Sequence, residues 1–331
     1  MGIGCLTHLP FYLLHKYQRP FMLSRVADSL YWMSRYMERT DGILRMLKIN
    51  YASSQDDLLE FSWKPVLRIF TYLDEDQANS LAHRSRAVLE YMVTDKENPN
   101  SVLNIITHAR ENARSVQDHI TKELWQCLND FYHDIRDERL VQSLNREDPV
   151  TILDKLIKQG LLYYGTMDIT MARGEGYAFI NIGKLLERGV QSADILDIKF
   201  SDHDYDFTKT DTMYWKYLLM SISGYELYIK TYRSGFDAKN VVEQIVLNND
   251  FPRSVLYSIN HLHHYFERLK SDRNADGYRK IDFMIGRIKS RVKYSTVESI
   301  MKQGLHAYLN RVKEDLSEVA NALNQNYFAY S

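Results

Sequence analysis

Two Glu-Arg pairs, Glu38-Arg39 and Glu187-Arg188, are the side chains of this sequence best placed to do chemistry. At about 100° per residue, each glutamate falls about 120° from the centre of the apolar stripe of its helix. We therefore expect both carboxylates at the edge of a buried face. A carboxylate there can hold a guanidinium in a two-point ion pair, or act as a general acid or base if its pKa is shifted.

Further charged residues could join these pairs. The sequence predicts a polar cleft in which Glu38 and Glu187 lie with Arg110, Arg114 and Arg173, suited to an anionic or peptide-like ligand. The competing interpretation is structural: Glu38 pairs with a residue of its own or a neighbouring helix and only holds the bundle together. The candidate ligand-binding residues are Arg35, Arg39, Arg110, Glu111, Arg114, Arg173, Glu175, Lys184 and Arg188.

The elements that must position these residues are helices. The chain of 331 residues has only 14 Gly and 6 Pro, and apolar residues recur with a 3.6-residue period from Met22 onward. No run alternates as a strand would. Ser24 is expected to cap the first helix, and Asp148-Pro149 to start another. The sequence predicts an all-α, multi-helix bundle of about 11–12 helices.

The chain also repeats itself. Residues 34–39 match residues 183–188 at an offset of 149 (187 − 38), Trp63-Lys64 matches Trp215-Lys216 at 152 (215 − 63), and 99–103 match 252–256 at 153 (252 − 99). An internal duplication is predicted, with halves of about 22–148 and 170–325 packed about an approximate twofold axis. Residues 1–21 are expected to be an extension before a single domain over 22–325, and Met22 a possible biological start.

Composition excludes several classes of protein. The net charge of −1 and the pI of about 6.8 predict neither a nucleic-acid nor an anionic-membrane partner, and no apolar run is long enough to span a bilayer. Two cysteines cannot form a disulfide framework, so a cytoplasmic setting is expected. No nucleotide-binding motif and no convincing set of metal ligands occurs, so we predict no cofactor and no metal.

Five ordered blocks resemble the alpha-E family of bacterial helical proteins. They begin with 23–39, which contains the first Glu-Arg pair, and continue through 98–101, 110–114, 173–177 with 186–188, and 251–255. The resemblance covers about 22–325. It implies an all-helical fold and an association with ATP-grasp, peptide-ligase-like proteins, beside which the family is encoded or to which it is fused.

Three functions remain open at this point. The preferred one is an accessory or substrate-binding protein that works with an ATP-grasp-type ligase in peptide synthesis or modification, with a possible peptide or amino-acid ligand in the Glu/Arg cleft. The second is a stand-alone, amide-bond or peptide-modifying enzyme with Glu38 or Glu187 as general acid or base. The third is a purely structural scaffold whose Glu-Arg pairs are interhelical salt bridges.

Overall fold

The computed structural model describes residues 22–55, 62–208, 212–233, 235–271 and 274–328, and in these ranges it contains 16 α-helices and no strand. The all-α prediction is confirmed. The first eight helices are α1 (Ser24–Ser53), α2 (Lys64–Phe70), α3 (Glu75–Leu81), α4 (Ser85–Val93), α5 (Val102–Ser115), α6 (Lys122–Arg136), α7 (Arg139–Arg146) and α8 (Pro149–Thr170). The next eight are α9 (Glu175–Ser201), α10 (Thr212–Ser221), α11 (Tyr225–Thr231), α12 (Ala238–Val242), α13 (Val255–Glu267), α14 (Ala275–Lys293), α15 (Val297–Gln303) and α16 (Leu305–Leu323).

The higher number of helices has a local cause. Two stretches predicted as single helices, 212–233 and 296–325, are each divided in two by a short break, and α3 and α7 lie mostly between predicted stretches. Gly304, with φ of 88°, separates α15 from α16, and Ser223, with φ of 57°, lies between α10 and α11. A residue in the left-handed region cannot continue a right-handed helix, so the chain turns at these points.

The start of a helix depends on its cap. α8 begins at Pro149 as predicted, and the Asp148 carboxylate accepts hydrogen bonds from the backbone N–H groups of Val150 and Thr151 at 3.2 and 3.1 Å. The prediction that Ser24 caps α1 is wrong. Ser24 is the first helical residue, and its side chain makes no capping bond.

α1 is the central helix, enclosed mainly by α5, α8, α9 and α10. This position explains its long apolar stripe, whose burial drives the packing. The stripe residues Val26, Leu30, Met33, Met37, Leu44 and Leu47 are all buried.

α1 and α9 lie side by side and run parallel. The residue numbers of their contacting pairs increase in the same direction along both helices. The backbone N–H of Met22 donates to Glu175 at 3.0 Å, the Ser34 hydroxyl donates to the backbone oxygen of Ile180, and the Gln191 side chain lies over Gly42. The backbones of the two helices come close together at Gly183. A Cβ atom there would lie 2.7 Å from the Ser34 Oγ atom and closer still to the backbone of Tyr31.

The second eight helices pack in the same order as the first eight. α1 packs against α5 and α8, and α9 packs against α13 and α16; α5 contacts α6 as α13 contacts α14. Ser101 and Ser254 cap α5 and α13 in the same way, each accepting from the third helical N–H. This arrangement is the one expected of two related halves, and their origin by duplication stays a prediction.

The predicted halves left 149–169 unassigned. In the structure this stretch forms most of α8, which packs against α1 and α6. The predicted extension, residues 1–21, lies outside the described residues.

Candidate functional site

Glu38 lies at the contact between α1 and α9, where both of its carboxylate oxygens are occupied. Arg188 of α9 donates from Nε to Oε1 at 2.7 Å and from Nη2 to Oε2 at 2.9 Å. Arg253, which precedes α13, adds a bond from Nη1 to Oε1 at 3.2 Å, and the Tyr164 hydroxyl of α8 donates to Oε2 at 2.7 Å. Arg253 also pairs with Asp41, one turn further along α1. Three elements therefore converge on one carboxylate.

Glu187 is held in the same manner from the opposite helix. Arg39 donates from Nε to Oε1 at 2.7 Å and from Nη2 to Oε2 at 3.2 Å. Arg35 donates to Oε2 from Nε at 2.8 Å, and its Nη2 lies 2.7 Å from the same oxygen. The two glutamates thus exchange arginines: the acid of each Glu-Arg pair binds the base of the other.

The expectation that both carboxylates lie at the edge of a buried face needs correction. Glu38 is 0% exposed and Glu187 is 4% exposed. α9 covers the edge of the apolar face of α1, and α1 covers that of α9. The periodicity of a single helix does not reveal this contact. Of the partners that the structural interpretation allowed for Glu38, the one on a neighbouring helix is present, since Glu38 binds Arg188 of α9; Arg35 on its own helix binds Glu187 instead.

The arginines keep both carboxylates ionised. Burial alone would raise the pKa of Glu38, but the charges of Arg188 and Arg253 outweigh it and lower the pKa to about 2. Burial is likewise outweighed at Glu187, where Arg35 and Arg39 lower the pKa. Burial and the nearby Glu38 raise the pKa of Tyr164, so its hydroxyl stays a hydrogen-bond donor.

The structure places a separate cleft beside each glutamate, in place of the single shared cleft that the sequence suggested. Among the described residues, no side chain lines both clefts. The Glu38 cleft, of about 290 Å³, is lined by Asp41, Arg45, Leu161, Tyr164, Met167, Asp168, Lys184, Arg188 and Arg253. The Glu187 cleft, of about 160 Å³, is lined by Arg35, Arg39, Ile69, Phe70, Thr71, Tyr72, Asn100, Glu187, Val190, Gln191 and Asp194.

Part of the lining of the two clefts corresponds through the repeat. Lys184 and Arg188 stand where the Glu187 cleft has Arg35 and Arg39, at an offset of 149 (184 − 35 and 188 − 39). They differ at two cations of the Glu38 cleft. Arg253 stands where the other cleft has Asn100, at an offset of 153 (253 − 100), and Arg45 stands where it has Asp194, at an offset of 149 (194 − 45). The Glu38 cleft is consequently the more basic of the two at these positions.

Three predicted site residues lie elsewhere, on α5. Arg110 donates to Asn129 of α6 at 3.0 Å and packs over the ring of Tyr132. Glu111 bridges Arg110 and Arg114, each at 2.8 Å. The Arg114 side chain is 63% exposed. These three residues line neither cleft, so the structure does not bring them to Glu38 or Glu187.

Arg173 and Glu175 lie where α8 passes into α9. Arg173 pairs with Asp168 at 3.0 Å and covers the ring of Tyr177, which places it near the mouth of the Glu38 cleft. Glu175 accepts the backbone N–H of Met22 and lines neither cleft.

Arg253, Asp41 and Tyr164 belong to the site but were not among the candidates. Arg253 is 215 residues away from Glu38 in sequence, so helical periodicity could not connect them. A signal for Asp41 did exist, because a residue three positions after Glu38 lies on the same helix face.

Comparison with known proteins gives the family. The model of Alpha-E, described as a predicted alpha-helical domain with a conserved ER motif, matches residues 22–328. The chain belongs to the Alpha-E family. Four Glu-Arg dipeptides occur in this Alpha-E chain, and only those at 38–39 and 187–188 have a buried glutamate; those at 138–139 and 267–268 are exposed.

The relatives of this Alpha-E chain are longer than it is. Uncharacterized proteins of Mycobacterium bovis and Mycobacterium tuberculosis are each 23% identical over 335 residues, which cover 92% of this chain but 37% of the relative. An uncharacterized protein of another Mycobacterium tuberculosis strain is 22% identical over the same shares of the two chains. No solved structure matches. Within the described residues, every helix is too short or too polar to cross a bilayer.

Proposed function

We propose that this Alpha-E protein is a helical accessory protein that works with an ATP-grasp-type ligase in peptide synthesis or modification. Its two clefts then receive the peptide or amino-acid substrate. The class of partner comes from the family resemblance. The observation that carries the binding role is that each buried glutamate holds guanidinium groups in fixed positions beside a cleft.

A carboxylate held in this way is poorly suited to proton transfer. A general base must accept a proton near the working pH, but the pKa of Glu38 is about 2 and both of its oxygens are already hydrogen-bonded. The role as general acid or base therefore has less support than a binding role.

The arginines retain hydrogen-bonding capacity for a ligand. Arg39 uses Nε and Nη2 on Glu187, and Arg253 uses Nη1 and Nη2 on Glu38 and Asp41. Among the described residues, Arg39 Nη1 and Arg253 Nε have no hydrogen-bond partner. An oriented guanidinium with a spare donor is a good binding group for a substrate carboxylate.

A purely structural scaffold is the second candidate, and one observation favours it. The reciprocal pairs of Glu38 with Arg188 and of Glu187 with Arg39 join the two central helices, which is sufficient reason for their presence. A scaffold needs the pairs but not the clefts. The same proposal includes a cytoplasmic location, because the protein would work beside an ATP-dependent ligase.

The decisive experiment adds the purified protein to a purified ATP-grasp-type ligase of the same organism. We expect the two to co-purify, and the KM of the ligase for its peptide substrate to fall in the presence of this protein. Arg39→Met should abolish the KM effect, since Arg39 lines a cleft, while Arg114→Met, an exposed arginine outside both clefts, should retain it. Absence of both association and a kinetic effect would overturn the proposal. If Arg39→Met and Arg114→Met both still lower the KM of the ligase as the wild type does, the result would favour the structural scaffold.

A further inference from the structure

Lys184 differs from the other cations around the two glutamates because no acid pairs with it. Its Nζ donates to the neutral Asn181 side chain at 2.7 Å, and no carboxylate of the described residues lies within ion-pair distance of it. Arg35, its counterpart in the repeat, lies 2.7 Å from Glu187. Lys184 is half-buried. An ammonium that has lost part of its hydration and has no counter-charge is costly, and an anion beside it would relieve that cost.

The charges that face Lys184 from each neighbouring element are already committed. Arg188 on the same helix repels it, and Glu38 from α1 is bound by Arg188 and Arg253. On α8, Asp168 pairs with Arg173, and the Tyr164 ring lies 5.7 Å from the ammonium nitrogen. Burial and the charge of Arg188 lower the pKa of Lys184 to about 8. Asp41, which lines the same cleft, is bound by Arg45 and Arg253. The part of the chain that the structure describes therefore supplies Lys184 with no free acid.

The chemistry of the Glu38 cleft indicates which kind of ligand could supply the missing negative charge. The cleft has room for about 290 Å³, and Leu161 and Met167 give it an apolar wall beside Lys184. A single unpaired cation calls for a single negative charge, and an apolar wall favours an organic ligand over inorganic phosphate. We propose that Lys184 binds the carboxylate of an amino-acid or peptide ligand, whose apolar side chain packs against Leu161 and Met167. This inference rests on the proposed binding function and names its site.

A bound carboxylate stabilises the charged form of Lys184, so binding is linked to protonation. Below about pH 8 the ammonium is already charged in the free protein, and affinity is constant. Above that pH the ligand must bind together with a proton, and affinity falls as pH rises. A fall in affinity that begins near pH 8 is the profile expected of this lysine. A general loss of structure would not produce that pH dependence of affinity.

The test is calorimetric titration of the full chain with N-acetyl-L-leucine at pH 7, using N-acetyl-L-leucinamide as the uncharged control. We expect the acid to bind and the amide to bind at least tenfold more weakly. Lys184→Met should weaken binding of the acid by about tenfold to a hundredfold, the effect of losing a charged hydrogen bond. Lys184→Arg keeps the positive charge and should retain part of the affinity for the acid.

Lys199→Met is the matched control. Lys199 lies on the same helix and burial also lowers its pKa, but it lies outside the Glu38 cleft, so its loss should leave binding unchanged. Circular dichroism melting of each variant establishes that it is folded. Absence of binding by N-acetyl-L-leucine, binding indifferent to Lys184→Met, or binding of inorganic phosphate in its place would each overturn the inference.

The outcome is separable from that of the proposed function. Carboxylate binding that depends on Lys184, without any effect on a ligase, supports the site and contradicts the partnership. Co-purification with a ligase, without carboxylate binding, contradicts the site and leaves the partnership standing.

Discussion

Glu38 and Arg188 form a two-point ion pair across the contact of α1 with α9, with N–O distances of 2.7 and 2.9 Å. Their sequence neighbours, Arg39 and Glu187, pair in the reverse sense. A shift of one residue along either helix would turn the acid about 100° away from its base. The exchanged pairs therefore fix the register of the two central helices.

Removing one charge from this contact should destabilise the protein strongly. Glu38→Gln keeps the shape of the side chain but leaves Arg188 without a counter-charge and Arg253 with Asp41 as its one remaining acid; the two arginines are 14% and 13% exposed. Breaking one side of a buried ion pair costs about 3–5 kcal/mol of unfolding free energy. Urea denaturation of the variant measures this loss.

Glu111→Gln is the control for that prediction, because it removes a partly exposed acid from the pairs with Arg110 and Arg114. Its cost should be within about 1 kcal/mol. Equal losses of unfolding free energy in Glu38→Gln and Glu111→Gln would show that the buried ion pair stabilises the protein no more than the exposed one.

The close approach of α1 and α9 makes a second prediction. Gly183→Ala introduces a Cβ that meets the Ser34 hydroxyl at 2.7 Å and the backbone of Tyr31, so the helices must move apart. Overpacking of this kind costs about 1–3 kcal/mol. Gly286→Ala in α14 has no atom in its way and should stabilise by up to about 1 kcal/mol, since alanine is the better helix former. Thermal melting of both variants should show opposite shifts, and shifts of the same sign would contradict the packing argument.

Acid should weaken the protein through the same glutamates. The pKa of Glu38 is about 2 in the folded protein, against an ordinary value of 4.5. A lowered pKa gives stability that is present above about pH 4.5 and is lost as pH falls towards 2. The urea midpoint of the wild type should therefore drop across this interval. Glu38→Gln should show a shallower drop, and an unchanged pH slope in that variant would argue against the assignment.

Lys184 should behave in the opposite way, because its ammonium is disfavoured by folding. Lys184→Met should raise the unfolding free energy at pH 7 by about 0.5–2 kcal/mol, as stabilising changes at binding sites often do. The pKa of this lysine is about 8 when folded and 10.5 ordinarily, so the advantage should shrink between those pH values as the wild type gains stability. Lys158→Met, at an exposed position of α8, should change stability by less than about 0.5 kcal/mol. A destabilised Lys184→Met would indicate a structural role instead.

Much of the fold follows from local sequence. The apolar period of α1, the cap at Asp148-Pro149 and the serine caps of α5 and α13 depend only on residues within a few positions of one another. The divided helices were missed because Gly304 acts through its left-handed conformation, and a glycine alone does not reveal that conformation.

The site was harder to predict than the fold. Periodicity placed Glu38 and Glu187 at the edge of a buried face, whereas both are buried, because their burial and the identity of their partners depend on how α1 lies against α9. Arg110 and Arg114 looked equivalent to Arg188 by residue type, yet their helix turns them towards α6 and solvent. Only the arrangement of whole helices separates these arginines.

The parallel pairing of α1 with α9 also has a consequence for biosynthesis. Glu38 leaves the ribosome about 150 residues before Arg188 and about 215 before Arg253, an interval of roughly 8–40 s at about 5–20 residues per second. During that time the first eight helices have neither the helix that covers α1 nor the bases that neutralise its buried acid. The nascent chain should therefore remain sensitive to protease, and dependent on chaperones, until α9 has emerged.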